Sequence, residues 1–313
     1  MPTAVLALGG NALARSGEPA TVTNQFRHAR ESVAPIVELA KQEWRIVIVH
    51  GNGPQVGDEL VRNEAARKVA EPLPLGVLVA ETAGWIGYML QQSLQNALAT
   101  ARVQRDVVTV ITQTLVDRYD SALTQPTKPI GHALPAHEAA RLRETGRPVG
   151  KDGAGEWRRM AASPTPLGVV EFPVIQRLSD QGVLVIAAGG GGPPVYQDPF
   201  LGLEGVDAVV DKDRVSSILA TQLGAEVLMI LTNVDAVFEG WGTPKARAIR
   251  RMTVEQAETM IAGGSMDAGG MKPKVEAAAA FVRRGGARSI IARLSDGPAA
   301  LRGETGTTIS ATP

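Results

Sequence analysis

Two stretches of this chain carry residue types that could handle an anion. Gly189 to Gly192 are four consecutive glycines directly after the β-branched apolar run Val183 to Ala188, and further on Val206 to Val210 leads into Asp211-Lys212-Asp213. Glycines at a strand end let the backbone take φ > 0 and bring bare N–H groups close to a ligand. A lysine between two carboxylates, ahead of a helix-periodic RVSSILATQLGA, places charge beside a helix N-terminus that favours anions. Two more lysines stand out by context: Lys128 in Pro126-Thr127-Lys128-Pro129-Ile130-Gly131, and Lys274 closing the glycine-rich SMDAGGMKPK of Ser265 to Lys274. Phosphoryl transfer asks a protein mainly for positive charge on the phosphates and for alignment of donor with acceptor. Taken singly, the glycines read as a surface turn and Asp-Lys-Asp as a solvated charge cluster; together, each behind a buried-type strand, they point to a phosphate site.

The elements that must hold these residues alternate. Thr3 to Leu8, Arg45 to His50, Val107 to Ile111, Val183 to Ala188 and Glu226 to Thr232 are short apolar runs of the kind found in a parallel sheet covered on both faces, with Ser289 to Ala292 and Thr307 to Ser310 as closing strands. Helical spacing runs from Asn24 to Trp44, with a kink expected at Pro35, and from Glu81 to Arg102, where Trp85, Met89, Leu90, Leu94 and Leu98 share a face. Strand alternating with helix means a doubly wound α/β sheet. Two further glycine-asparagine loops follow strands: Gly9-Gly10-Asn11-Ala12 and Gly51-Asn52-Gly53-Pro54-Gln55-Val56-Gly57. From about Asp117 to Pro166 the chain turns rich in proline, glycine and charge, too long for a loop and better read as a lid subdomain. His132 and His137 within it read as surface residues, because HALPAHE lacks the HExxH zinc pattern.

Composition removes several function classes. Lysine plus arginine equals aspartate plus glutamate at 32 each, so no global basic field exists to hold nucleic acid or an anionic membrane. Cysteine is absent, which removes thiolate catalysis and disulfide scaffolding. The apolar start Ala4 to Leu8 lacks a basic flank and is not a signal peptide, and no apolar run approaches a membrane span; a cytoplasmic protein with small-molecule partners is expected. The P-loop, the protein-kinase HRD and DFG signatures, the G-x-S-x-G elbow and the dinucleotide fingerprint are all missing.

The set GGNA at Gly9 to Ala12, HGNGPQVG at His50 to Gly57, PTKPIG at Pro126 to Gly131, AAGGGG at Ala187 to Gly192, VDKD at Val210 to Asp213 and LTNVD at Leu231 to Asp235 closely resembles the carbamate kinases of the amino acid kinase superfamily, in order and end to end. That resemblance implies a three-layer αβα fold on an open, mainly parallel sheet with a protruding lid. It implies an N-terminal lobe, 1–166, that holds the acceptor and makes a homodimer, and a C-terminal nucleotide-binding lobe, 167–313. The implied reaction is carbamoyl phosphate plus ADP giving ATP plus carbamate, with ATP/ADP and Mg2+ as cofactors, a link to arginine metabolism, and no protein-bound metal cluster. By the same resemblance Gly9, Gly10, Asn11, Gly51, Asn52 and Gly53 bind the acceptor, and Lys128, Lys212, Asp213 and Lys274 are the catalytic group. Gly190, Gly191, Lys212, Asn233, Asp235, Met271 and Lys274 take the nucleotide, and Asp211 has the less certain part of the two aspartates.

Two places depart from the family pattern. The compact G-S-M-x-P-K element is expanded here, so Met266 competes with Met271 and Lys272 with Lys274; Glu156-Trp157-Arg158 replaces the usual G-W-R. Three other readings stay open: a kinase of another small acid in the same superfamily, a non-catalytic nucleotide sensor on this fold, and a nicotinamide-dependent oxidoreductase. Asn11 with PTKPIG argues against the first, the three retained lysines against the second, and Pro193-Pro194 directly after the glycines against the third.

Overall fold

A computed structural model describes residues 1–10, 13, 18–264, 266 and 270–312. Its centre is an eight-stranded sheet in the order Arg251–Thr253, Thr307–Ser310, Arg288–Arg293, Val227–Thr232, Thr3–Leu8, Arg45–His50, Leu184–Ile186, Val107–Thr109. The six strands from Arg288–Arg293 onward are mutually parallel. Thr307–Ser310 pairs antiparallel with Arg288–Arg293, and Arg251–Thr253 runs parallel to it, so the two strands at one edge are reversed. Leu184–Ile186, from late in the chain, sits between Arg45–His50 and Val107–Thr109, so the first and second halves share one sheet.

Both faces of the sheet are covered, which is why its strands read as continuous apolar runs rather than alternating ones. Val5, Val47, Leu228 and Ile230 face a core completed by the helices Lys212–Gln222 and Lys272–Arg283, through Val215, Leu219, Val275 and Phe281. Their neighbours Leu6, Ile46, Ile48, Met229 and Leu231 face the opposite core, closed by Ala34–Lys41 and Leu75–Thr100 through Ile36, Leu39, Ile86, Met89, Leu90 and Leu94. The long helix therefore starts at Leu75, right after Pro74, rather than at Glu81. The helical pattern around Pro35 is two helices, Val22–Ser32 and Ala34–Lys41, with the proline near the start of the second, where its missing N–H costs nothing. Among the described residues no helix is long and apolar enough to cross a membrane.

A four-stranded sheet beside the main one contains the antiparallel pair Thr114–Val116 and Pro166–Val169. The chain between these two strands forms the lid: Lys128–Leu134, Trp157–Ala161 and Val149–Lys151 in a three-stranded antiparallel sheet, plus the helix Ala136–Glu144. The lid is thus built on strands that are short and half-exposed, a pattern that buried-type apolar runs do not signal. Its base rests on a small apolar cluster of Val56, Leu78, Val79, Ile130, Ala161 and Val209.

Arg45–His50 ends on a histidine that is 1% exposed, whose Nδ1 lies 3.1 Å from the Gly51 carbonyl oxygen. Burial, helped by the nearby Lys212 charge, pushes this imidazole down to about 4, against the support of hydrogen bonds to the Gly51 and Ala83 carbonyls. The unfolded chain takes up that proton near pH 6.5, whereas the fold refuses it until about 4, so the stability contribution is full above 6.5 and is lost as pH falls toward 4. The loss should total on the order of 3 kcal/mol across that window. Urea titrations of the wild type and His50→Asn at pH 7, 6 and 5 should show the gap in stability between them shrinking as pH falls; a constant gap would mean that His50 titrates normally.

Candidate active site

Four of the glycine- or asparagine-bearing loops leave the carboxyl ends of four neighbouring strands: Val227–Thr232, Thr3–Leu8, Arg45–His50 and Leu184–Ile186. The ladder carries on into the loops, with the Gly9 N–H donating to the Leu231 carbonyl, Gly51 to Leu8 and Ala187 to Ile48, all at 2.9 to 3.0 Å. Adjacent parallel strands in register deliver their loops side by side, which is where open α/β sheets place ligands. The resulting cavity, of about 290 Å³, is lined by Gly9, Gly10, Gly51, Asn52, Gly53 and Gly190 together with Lys128, Lys212, Lys274 and Asn233.

The glycine turn is shaped by its neighbours. Ala188 is left-handed at φ 50°, and Gly190, Gly191 and Gly192 follow with φ of 68°, 90° and 76°. A Cβ at Gly190 would lie 2.2 Å from the Asn52 side-chain nitrogen, so glycine is needed there for close approach as well as for its dihedral. Thr112 and Thr114 hold the turn: the Ala188 N–H donates to Thr112 Oγ1 at 3.0 Å, and Thr114 Oγ1 donates to the Gly191 carbonyl at 2.6 Å. Asn52 is oriented by its Nδ2, which donates to Thr82 Oγ1 at 2.9 Å. None of these three threonines carries a signal in the sequence, because each acts across a fold contact.

Charge is arranged in two layers. Asp213 is 3% exposed and does not line the cavity; its Oδ1 accepts from Lys212 Nζ at 2.5 Å and its Oδ2 from Lys274 Nζ at 3.3 Å. Asp211 caps the helix Lys212–Gln222, its Oδ1 accepting from the Asp213 and Arg214 N–H groups, while its Oδ2 takes Lys128. Burial pushes both carboxyls up, but the lysines outweigh it and hold both below the usual carboxylate range: Lys128 and then Lys212 for Asp211, Lys212 and then Lys274 for Asp213. Burial also lowers Lys212, opposed by Asp213 and reinforced by the like charge of Lys274.

The structure thus brings together most of the residues that the sequence singled out. Gly191 is buried within the turn, and it, Asp235 and Met271 lie outside the cavity lining. Lys274, rather than Lys272, lines it. Asn11 lies outside the described residues, as do Ser265 and 267–269 of the expanded loop, whereas Met266 is packed in the core. The element before Lys212 also differs from expectation. Val206 to Val210 is not a strand: it packs against the lid base, where Val209 joins the apolar cluster and its N–H makes a single bond to the Ala162 carbonyl rather than a ladder. Lys212 and its aspartates therefore follow a buried irregular segment rather than a strand.

Comparison with known proteins agrees with this geometry. The sequence profile of the amino acid kinase family matches residues 2–293. A curated carbamate kinase of Pyrococcus horikoshii is 42% identical over 309 residues, covering 98% of each chain. Among solved structures, carbamate kinase from Giardia lamblia bound to citric acid superposes with a TM-score of 0.94 at 38% identity, covering 99% of this chain and 98% of that one. The same Giardia enzyme bound to AMP-PNP gives 0.89 at 38% identity, with the same coverage. With nearly its whole length matched in both sequence and fold, and with its lysines and glycine loops gathered at the carboxyl ends of the central strands, the chain belongs to the amino acid kinase family and, within it, to the carbamate kinases.

Proposed function

We propose that this cavity transfers a phosphoryl group reversibly between ATP and carbamate. The observation that carries this reading is the convergence of Lys128, Lys212 and Lys274 on one cavity edged by the loops at Gly9-Gly10 and Gly51-Asn52-Gly53. In the direction that makes ATP, a β-phosphate oxygen of ADP attacks the phosphorus of carbamoyl phosphate. The P–O bond to carbamate breaks, and its electron pair leaves on carbamate as the new bond forms. Carbamate is a small planar anion, suited to backbone amides of the two glycine loops, and the family resemblance assigns Asn11 to the same acceptor role. Lys212 and Lys274, held by Asp213, meet the nucleotide phosphates beside Gly190 and Gly191, with Asn233, Asp235 and Met271 toward the rest of the nucleotide. Lys128 comes over the transferring group from the lid.

Magnesium enters this reading with the nucleotide. Mg2+ is taken to arrive with the phosphates of the nucleotide; among the described residues no group of three or more His, Cys, Asp or Glu side chains is placed to hold an ion. The lobe division at 166/167, a cytoplasmic setting, a link to arginine metabolism and a homodimer belong to the same proposal. For the dimer, Val77 and Tyr88 on the helix Leu75–Thr100 and the nearby Ile111 offer exposed apolar surface in the N-terminal half.

Three measurements test it. In a coupled assay of ATP formation from ADP and carbamoyl phosphate, Lys212→Ala should lose on the order of 100-fold or more, about 3–4 kcal/mol of barrier, with its circular dichroism unchanged. Near wild-type turnover would remove Lys212 from the chemistry. Lys128→Ala should lower transfer more than it weakens ADP binding, since the nucleotide is held mainly by the C-terminal half, and hydrogen exchange should show the lid gaining protection when ADP and carbamoyl phosphate are added. A lid as protected as the core strands without ligand, together with a fully active Lys128→Ala, would leave that segment a structural role only. Light scattering at micromolar concentration should give twice the 32.9 kDa chain mass; a species of 32.9 kDa alone would reject the dimer.

A further inference from the structure

A second cavity, of about 430 Å³, opens between the helix Gly53–Ala66 and the lid helix Ala136–Glu144. Four arginines line it, Arg67, Arg141, Arg147 and Arg159, against two carboxylates, Glu64 and Glu138. Glu64 is already engaged, its two oxygens accepting from Arg159 Nη1 at 2.5 Å and Nη2 at 2.8 Å. Arg67, Arg141 and Arg147 are exposed at the mouth, and among the described residues their guanidinium groups make no hydrogen bond or ion pair. Their fields nevertheless converge. Hydrogen bonds from Arg159 hold the Glu64 carboxyl below the usual range against the opposing effect of burial, and the charges of Arg159, Arg147 and Arg141 add to the pull.

Gathering like charges around a hollow costs free energy that a bound anion would return. Guanidinium groups are planar forks that match phosphate and carboxylate oxygens two at a time, and they stay charged at every working pH. Arg67 follows the C-terminus of one helix and Arg141 lies in the last turn of the other, yet neither is tied down by bonding the helix-end carbonyls, so both remain able to turn inward.

We propose that this cavity is a binding site for a small, multiply charged oxyanion, phosphate-bearing or polycarboxylate, gripped by Arg67 from the core side and by Arg141 and Arg147 from the lid side. The site is separate from the lysine-lined cavity and shares none of its lining residues. Its position ties it to the lid. Arg159 stands opposite Ile130 in the lid sheet, with Lys128 opposite Ala161 two residues along, so a ligand here spans the junction that sets Lys128 over the first cavity.

The test is calorimetric titration without divalent cations and at constant ionic strength, using pyrophosphate and the tricarboxylate tricarballylate in turn. The wild-type protein, R141Q/R147Q and, on the opposite wall, R67Q are compared. Any binding in the lysine-lined cavity is common to all three and cancels in the comparison. For at least one anion, R141Q/R147Q should bind about tenfold or more weakly than wild type and R67Q should also lose affinity, with ATP formation in the absence of added anion unchanged. Loss confined to pyrophosphate identifies the phosphate-bearing class, and loss confined to tricarballylate the polycarboxylate class. Titrations of all three proteins that coincide for both anions would overturn the proposal.

Discussion

Three ammonium groups around one cavity of about 290 Å³ repel one another, and two buried aspartates make the arrangement possible. Asp213 sits beneath the cavity and divides its two oxygens between Lys212 and Lys274, while Asp211 takes Lys128 from the lid. The lysines keep both carboxyls ionised despite burial. The pairs are local anchors rather than a large source of stability, since desolvation offsets much of the attraction in such bridges. What they confer is position. Lysine stems are flexible, and the two aspartates fix the geometry of these charges before any ligand enters.

Lys128 depends on a second constraint, the fit between the lid and the helix that follows the Gly51-Asn52-Gly53 loop. A Cβ on Gly57 would lie 2.0 Å from the Cα of Gly131, so the lid strand passes the helix at a distance only two glycines allow. Around that contact His132 Nε2 sits 2.8 Å from Asp58, Arg158 donates to the Gly131 carbonyl at 2.8 Å, and Arg159 clasps Glu64 from the next strand. The Ile130 side chain fills the apolar cluster at the lid base. These contacts fix the strand three residues from Lys128, which turns a residue on a protruding element into a member of the cavity wall.

The proline-rich segment follows a different internal logic from the main sheet. Pro126, Pro129 and Pro166 sit around short antiparallel strands, Lys128–Leu134, Trp157–Ala161 and Pro166–Val169, whose half-exposed residues give no buried-strand pattern. A lid sheet with one wetted face has little apolar area to advertise in sequence. In the main sheet the opposite holds, and most of its strands were legible: Thr3–Leu8, Arg45–His50 and Thr307–Ser310 match, Val227–Thr232 starts one residue later than read, Leu184–Ile186 and Val107–Thr109 are shorter than read and Arg288–Arg293 longer, while the short edge strand Arg251–Thr253 was not read.

The amino-acid sequence by itself determined the α/β class, the order of the apolar strands, the glycine and lysine motifs and, through their combined spacing, the family. These are local or patterned properties, set by β-branching, burial on two faces and the backbone freedom of glycine. Only the tertiary structure decided which motifs meet. Gly9, Gly51, Gly190 and Asn233 are far apart along the chain and come together because four parallel strands are neighbours. The sharing of Asp213 by Lys212 and Lys274, the capture of Lys128 by Asp211, and the threonines that steady Asn52 and the glycine turn are contacts across elements. So is the irregular path of Val206 to Val210, which composition alone gives as a strand. A side chain's partners depend on what packs beside it, and that is settled by sheet order and register, which no short stretch of sequence contains.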